Sequence, residues 1–358
     1  MLTAFLGIAV ATATPQPGNA QTGRMPVERP PQFVAIAFDN CTELERWQEW
    51  TDFAAGLNRG GERIRFTFFV SGINFLANAK KHLYQGPGQA RGGSRINFGG
   101  SVEDVRRRVA LMNALHRDGH EIASHAVGHF DGRSWPAAAW TSEFNSFDSL
   151  LANVARNNEF APDHGFALSP KDIVGFRAPY LAHSPGLYAT LAERGFRYDT
   201  SATMPAHAWP ERRDGLWRFN LAGIKLAGSG RATLSMDYNF LVAQSGAAPV
   251  ASLREQFRQQ MLDSYLNYFR ANYTGNRAPI HIGHHFTDYQ NGAYREALKT
   301  FARAVCGLPE VRCVTYRALA DFMDALKPET LAAYRKGDFP RAGEPAFAGV
   351  SDTVRLNQ

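Results

Sequence analysis

Short apolar runs alternate with helix-like segments along most of this 358-residue chain. The first run, residues 31–38, is apolar at nearly every position, which is typical of a parallel strand that is buried on both faces. The order strand then helix repeats about seven times. This order predicts a single-domain α/β protein with a parallel sheet, and at this length a closed or nearly closed barrel.

Polar residues follow several of these runs directly. Asp39 and Asn40 follow the first run, and His125, Arg177 and His284 each follow another. The carboxyl ends of parallel strands meet at one rim of a barrel, where chemistry is concentrated, so these residues are predicted to form one site. His129 lies four residues after His125, and on a helical turn this spacing would bring both imidazoles within reach of one metal ion.

The Gly-rich residues 80–101 contain no Gly-Lys-Ser/Thr sequence and so do not match a phosphate-binding loop. Two interpretations remain open, a mobile surface loop or a wall of the substrate cleft.

Composition excludes some classes of protein. Apolar residues make up 44% of the chain and charged residues 20%, which is typical of a globular protein with a sizeable core. The net charge of +6 comes from scattered Lys and Arg, so it predicts mild attraction to anionic polymers and no nucleic-acid partner. No apolar run is long enough to predict a transmembrane segment.

The N-terminus predicts export. Residues 4–13 form a small apolar run that resembles the centre of a signal peptide, although no Lys or Arg precedes it. We therefore expect a leader at 1–24, a barrel at 25–328 and a tail at 329–358, in a periplasmic or secreted protein. Cys306 and Cys313 could form a disulfide there. The absence of a Cys-x-x-Cys pair argues against structural zinc held by thiolates.

Four motifs resemble those of the polysaccharide deacetylase family, carbohydrate esterase family 4, and the resemblance covers roughly residues 30–325. They are residues 37–41 (Ala-Phe-Asp-Asn-Cys), 125–129 (His-Ala-Val-Gly-His), 177–180 (Arg-Ala-Pro-Tyr) and 280–284 (Ile-His-Ile-Gly-His). A further family motif, which contains Asp and Trp, is poorly matched, and Asp237 is a loose candidate for its carboxylate.

The resemblance implies a distorted (β/α)7-8 barrel and metal-dependent removal of N-acetyl groups from a peptidoglycan- or chitin-type glycan. The implied cofactor is Zn²⁺, with Co²⁺ or Ni²⁺ as alternatives. The implied metal ligands are His125, His129 and Asn40. The implied catalytic residues are Asp39 as base, Arg177 as its partner, Tyr180 through its backbone N–H at the oxyanion, and His284 as acid, with His285 as the alternative acid.

The chain departs from the family at Asn40, where a second Asp is usual, and at Cys41, where Gly is usual. Three outcomes are open for the metal site. Asn40 could ligate through its neutral amide oxygen, Asp39 could rotate to the metal, or the site could be degraded. Two other functions therefore stand beside the deacetylase: a non-catalytic carbohydrate-binding protein, and a hydrolase of a small non-sugar amide or imide.

Overall fold

The structure is a computed structural model that describes residues 27–40, 42–61 and 63–347. The predicted leader and Cys41 lie outside the described residues. The strands are β1 (Gln32–Asp39), β2 (Thr67–Val70), β3 (Glu121–Ser124), β4 (Gly175–Phe176), β5 (Tyr198–Asp199), β6 (Thr203–Pro205), β7 (Glu211–Arg213), β8 (Leu216–Arg218), β9 (Leu221–Lys225), β10 (Ala232–Leu234), β11 (Ile280–His285) and β12 (Val311–Cys313).

The helices lie mainly between successive strands. They are α1 (Leu44–Asn58), α2 (Val102–Arg117), α3 (Ala137–Ala152), α4 (Val154–Asn158), α5 (Pro185–Glu193), α6 (Asp237–Ser245), α7 (Arg254–Thr274), α8 (Ala293–Val305), α9 (Tyr316–Asp324) and α10 (Pro328–Lys336). Local sequence sets several of their ends. Ser101 accepts a hydrogen bond from the Asp104 backbone and caps α2, and Ser184 caps α5 in the same way, with Pro185 as the first helical residue.

The main sheet follows the order β11-β1-β2-β3-β4-β5-β8-β7, and all of these strands except β7 run parallel to their neighbours. A smaller sheet, β10-β9-β6, continues from this one, because β6 follows β5 and β9 follows β8 after short links along the chain. A parallel bridge between Met236 and Gly283 joins it back to β11. The strands therefore curl into a distorted barrel that closes through irregular pairings, and the predicted α/β barrel is confirmed.

The two faces of β1 pack against different layers. Val34, Ile36 and Phe38 belong to the core between the sheet and the helices, together with Trp47 and Trp50 of α1. The alternate residues Phe33, Ala35 and Ala37 belong to a second core inside the barrel, with Tyr198 and Tyr316. Because strand side chains alternate with a period of two, Asp39 continues the inner row at the end of β1.

The first part of the predicted tail at 329–358 is helical. Residues from 327 onward are loop-like in composition, yet α10 forms there, with Pro328 at its first position and Gly337 ending it in a left-handed conformation. Tyr334 stacks on Trp209, so the first part of the predicted tail is packed on the barrel.

Cys306 and Cys313 are joined by a disulfide that links the end of α8 to β12. None of the helices described has both the length and the apolar composition needed to cross a membrane.

Candidate active site

A cleft of about 740 Å³ opens at the carboxyl ends of the barrel strands. Its lining combines the ends of β1, β3, β4 and β11 with the Gly-rich segment. The lining residues are Asp39, Asn40, Thr42, Arg95, Ile96, Asn97, His125, His129, Ala178, Tyr180, Leu181, Met236, Tyr238, Asn239, His285, Phe286, Thr287 and Tyr289. The second interpretation of the Gly-rich segment, as a wall of the cleft, therefore holds for residues 95–97.

Asp39 and Arg177 form a buried ion pair at the base of the cleft. The Nη1 of Arg177 lies 2.7 Å from the Oδ1 of Asp39, and both side chains are buried. The Nε of Arg177 donates to the Oγ1 of Thr200 at 2.7 Å, and its guanidinium lies 4.4 Å from the centre of the Phe69 ring. These contacts fix the guanidinium, so the carboxylate of Asp39 is held in one orientation.

His125 presents one ring nitrogen for ligation. Its Nδ1 lies 2.7 Å from the backbone carbonyl oxygen of Arg177, which can only accept, so Nδ1 carries the proton and Nε2 keeps a lone pair. Burial lowers the pKa of His125 to about 4, which keeps the imidazole neutral. A neutral imidazole oriented by a backbone carbonyl is the usual form of a histidine metal ligand.

The predicted helical turn at His125–His129 is wrong. These residues form an irregular loop in which Ala126 and His129 have positive φ angles of 58° and 56°. The carboxylate of Glu143 holds the loop, because its Oε1 accepts from the backbone N–H groups of Val127 at 3.0 Å and Gly128 at 3.1 Å. These two backbone N–H groups therefore donate to a side chain instead of to the carbonyls of a helix.

The loop still brings the two imidazoles together. The ring centres of His125 and His129 lie 5.1 Å apart, and the His129 ring also contacts Tyr180. Burial, with a smaller contribution from His125, lowers the pKa of His129 to about 3. The Nδ1 of His129 is buried and has no hydrogen bond to another described residue. Both histidines are therefore neutral.

Asn40 occupies the strand-end turn in a left-handed conformation, with φ of 62°. Asn tolerates this region better than most residues with a side chain. Its Oδ1 accepts a hydrogen bond from the Oγ of Ser71 at 2.7 Å, and its backbone N–H donates to the carbonyl of Phe69. The amide oxygen lies in the cleft but already has one partner.

The structure places His285 in the cleft and His284 outside it. His284 faces the helices together with Ile280 and Ile282, and its Nε2 lies 3.0 Å from the hydroxyl of Tyr265 on α7. Burial lowers the pKa of His284 to about 4. The structure therefore does not bring the predicted acid His284 to the site.

His285 lies at the inner face of β11, paired in register with Asp39. Its Nδ1 lies 2.7 Å from the Oδ1 of Asp237, and its backbone N–H donates to the Oδ2 of the same carboxylate at 2.8 Å. Burial alone would lower the pKa of His285, but the charge and hydrogen bond of Asp237 outweigh it and raise the pKa above its ordinary value. His285 therefore has the properties of a general acid.

Tyr180 lies on the opposite wall with its ring 58% exposed. Its φ of 57° is unusual for a bulky residue and turns the chain sharply after Pro179. Such strain persists only where the surroundings impose it, and it is often found at functional sites.

Within the described residues, no group of three or more His, Cys, Asp and Glu side chains is arranged to hold a metal ion. The donors that remain are the two neutral imidazoles of His125 and His129 and the amide oxygen of Asn40. This set fits a divalent transition metal such as zinc, because imidazole nitrogens suit that ion. All three donors are neutral, and the amide oxygen of Asn40 is a weaker ligand than a carboxylate.

Sequence reasoning missed Glu143 and Ser71, which support the loop and Asn40 without lining the cleft. No sequence pattern near Glu143 or Ser71 predicts these roles, because each residue contacts a segment that is distant along the chain. The position of His285 did have a signal: Ile280 and Ile282 alternate on the helix-facing side, which puts His284 on that side and His285 on the inner one.

No family profile matches the chain. Chitin deacetylase 1 from Bombyx mori is 24% identical over 195 residues, which is 52% of this chain and 28% of that protein. The chain therefore matches little more than a quarter of the length of that curated relative.

The chain also matches solved structures at low sequence identity. A Mycobacterium smegmatis protein assigned as a polysaccharide deacetylase is 18% identical, with 85% of this chain and 95% of that chain covered and a TM-score of 0.47. The chitin deacetylase from Colletotrichum lindemuthianum is 14% identical, with 85% and 92% covered and a TM-score of 0.40.

The match to a curated chitin deacetylase agrees with the family that the motifs at 37–41, 125–129, 177–180 and 280–284 indicate. The comparisons thus show a similarity in sequence to a curated chitin deacetylase over about half of the chain.

Proposed function

We propose that the chain is a metal-dependent hydrolase that removes N-acetyl groups from an N-acetylated glycan of peptidoglycan or chitin type and releases acetate. The observation that carries the proposal is the convergence of Asp39, held by Arg177, the neutral pair His125 and His129, and His285, held by Asp237, in one cleft. The sequence similarity to a chitin deacetylase of Bombyx mori supports the same reaction.

The metal would be held by His125, His129 and Asn40, and when bound it supplies polarisation of the amide carbonyl and of a water molecule. Asp39 takes the proton of the water that attacks the carbonyl carbon, and Arg177 holds that carboxylate in position. The backbone N–H of Tyr180 donates to the oxyanion that forms. His285 then gives its proton to the nitrogen as the C–N bond breaks, which releases the amine and acetate.

The acid role goes to His285 and not to His284. A general acid must reach the leaving nitrogen, and only His285 lines the cleft. Asp237 stabilises the protonated imidazole, which is the form that a general acid needs at neutral pH.

The test is acetate release by the purified full chain from N-acetylglucosamine oligomers and from peptidoglycan fragments, measured with its metal content. We expect bound zinc, loss of acetate release with chelator, and recovery when zinc is added back. No acetate from any substrate with added zinc, cobalt or nickel would contradict the proposal.

The presence of a neutral amide at position 40 favours a second candidate, a glycan-binding protein without turnover. A neutral amide that already accepts from Ser71 is a weaker ligand than a carboxylate. Glycan binding in the absence of metal and of acetate release would favour this candidate.

The proposal includes export to an oxidising compartment. The apolar run at 4–13 supports it, and so does the Cys306–Cys313 disulfide, because disulfides persist in such compartments. Cell fractionation with N-terminal sequencing of the mature chain tests this. A cytosolic protein that retains residues 1–24 would contradict it.

A further inference from the structure

Arg95 is a cation on the cleft wall that pairs with no carboxylate among the residues the structure describes. It is exposed, it lines the cleft, and it forms no ion pair with another described residue. Its guanidinium carbon lies 5.9 Å from the centre of the Phe130 ring, a contact that leaves the nitrogen donors of the guanidinium available.

The backbone fixes where Arg95 stands. Its N–H donates to the carbonyl oxygen of Gly128 at 2.9 Å, and the Oγ of Ser94 donates to the same carbonyl at 3.2 Å. Gly128 directly precedes His129, so Arg95 is anchored beside the site where the proposed chemistry takes place.

Other charges in the cleft are already balanced. The carboxylate of Asp39 is paired with Arg177, and the carboxylate of Asp237 is paired with His285. Among the described lining residues, no other carboxylate faces Arg95. The cleft therefore carries an uncompensated positive charge at this point.

The groove next to the cleft, which shares Thr42, Ile96 and Asn97 with it, has a different charge balance. Its charged lining residues are of both signs: Glu43, Glu45, Asp104, Arg107 and Arg108. That groove does not select strongly for an anion, so the selective contact is localised at Arg95.

We propose that Arg95 binds a carboxylate on the sugar in the cleft or on its immediate neighbour, so that the substrate is an acidic N-acetylated glycan. The inference rests on the proposed deacetylase function and names its substrate class. A guanidinium recognises a carboxylate through two parallel hydrogen bonds, which gives it geometric selectivity that neutral glycans cannot use.

The test compares two substrates that differ in one charge. The first is a tetrasaccharide of alternating N-acetylglucosamine and N-acetylmuramic acid with free lactyl carboxylates, and the second is its lactyl methylamide. We expect kcat/KM to be about fivefold higher for the acid, in the range of an exposed charge pair, and the preference to weaken as salt rises. A peptide-bearing fragment shows whether a carboxylate of the stem peptide serves equally.

In Arg95→Gln the ratio of the two kcat/KM values should fall towards one, with the loss mainly in KM, and Arg95→Lys should restore part of it. The matched control is Arg91→Gln, since Arg91 lies in the same segment, bonds to the carbonyl of His82 and does not line the cleft. An acid preference that persists in Arg95→Gln, or no preference in the wild type, overturns the inference.

The failure of the proposed function is a separate outcome. If no probe releases acetate, that function fails, and the affinities of the acid and the amide for the wild-type and Arg95→Gln chains are compared by calorimetry. Tighter binding of the acid that depends on Arg95 supports the anion site, and equal affinities overturn it.

Discussion

The Nη1 of Arg177 lies 2.7 Å from the Oδ1 of Asp39, with both side chains buried inside the barrel. The contact joins the end of β1 to the residue after β4, so the proposed base is oriented by the same pairing that holds two parts of the barrel together. The catalytic role and the structural role of this pair can be separated by experiment.

Asp39→Asn should lower kcat by roughly 10²- to 10⁴-fold, the usual contribution of a general base. It should also lower the free energy of unfolding by about 3 kcal/mol, because Arg177 stays buried without its counter-charge. Acetate release and urea unfolding measure the two effects. Thr200→Val, which removes the hydroxyl that accepts from the Nε of Arg177 and donates to the carbonyl of Phe176, is the milder control. Turnover near the wild-type rate in Asp39→Asn would exclude Asp39 as the base.

His285→Asn should reduce kcat by about 10²-fold or more, because the departing nitrogen loses its proton donor. His284→Asn should mainly change stability, since His284 contacts Tyr265 in the core and does not reach the cleft. Steady-state kinetics of both variants, with thermal unfolding as a control for folding, make the comparison. The reverse result would return the acid role to His284.

The pH dependence of kcat/KM should report the protonated His285. Its pKa is raised above the ordinary value, so activity that needs the protonated form is present below that pKa and is lost as pH rises through it. Asp237→Asn removes the charge that raises the pKa and should move the alkaline limb of the profile to lower pH. An alkaline limb that stays in place would show that Asp237 does not set this pKa.

Asn40→Asp should tighten zinc binding by about tenfold or more, a change of ~1.4 kcal/mol, because a charged carboxylate replaces a neutral amide. Asp also tolerates the left-handed conformation at this position, so the turn should be preserved. Zinc affinity measured by competition with a chelator gives the result, and His125→Ala serves as the variant expected to lose the metal. An affinity that does not change would show that residue 40 is not a ligand.

Glu143→Ala should weaken zinc binding by about 10- to 100-fold without touching the metal, because the amides of Val127 and Gly128 lose their acceptor and the histidine loop loses its shape. Glu143→Gln keeps an acceptor oxygen and should retain most of the affinity. The chelator competition assay ranks the two variants, with circular dichroism as a check on α3. Wild-type affinity in Glu143→Ala would show that the loop holds its shape without this carboxylate.

The sequence predicted the barrel and the rim well, because both depend on local signals. The apolar run before Asp39 and the polar residues after each strand place Asp39, His125 and Arg177 together, as the structure does. It failed where long-range contacts decide the local conformation. The conformation of the loop at 125–129 is set by Glu143, 14 residues after His129 along the chain. The barrel closes through a bridge between Met236 and Gly283 that no strand pattern in the sequence predicts.

The choice between His284 and His285 shows a different kind of error. The motif predicts the site at the right strand end, but a shift of one residue along a strand exchanges the two faces of the sheet. Ile280 and Ile282 pack against the helices, so His284 lies on their side of the strand and His285 points inward.

The first strand of the barrel, β1, pairs with the last two strands of the chain, β11 and β12. β1 pairs with β12 through residues 32–34 and with β11 along most of its length, across some 250 residues of sequence. Such contacts make folding slow, since long loops must close before these pairs form. One edge of β1 at residues 37–39 can pair early with β2, but the edge that pairs with β11 stays open until nearly the whole chain has been synthesised. Asp39 therefore gains its second neighbouring strand only when β11 has docked.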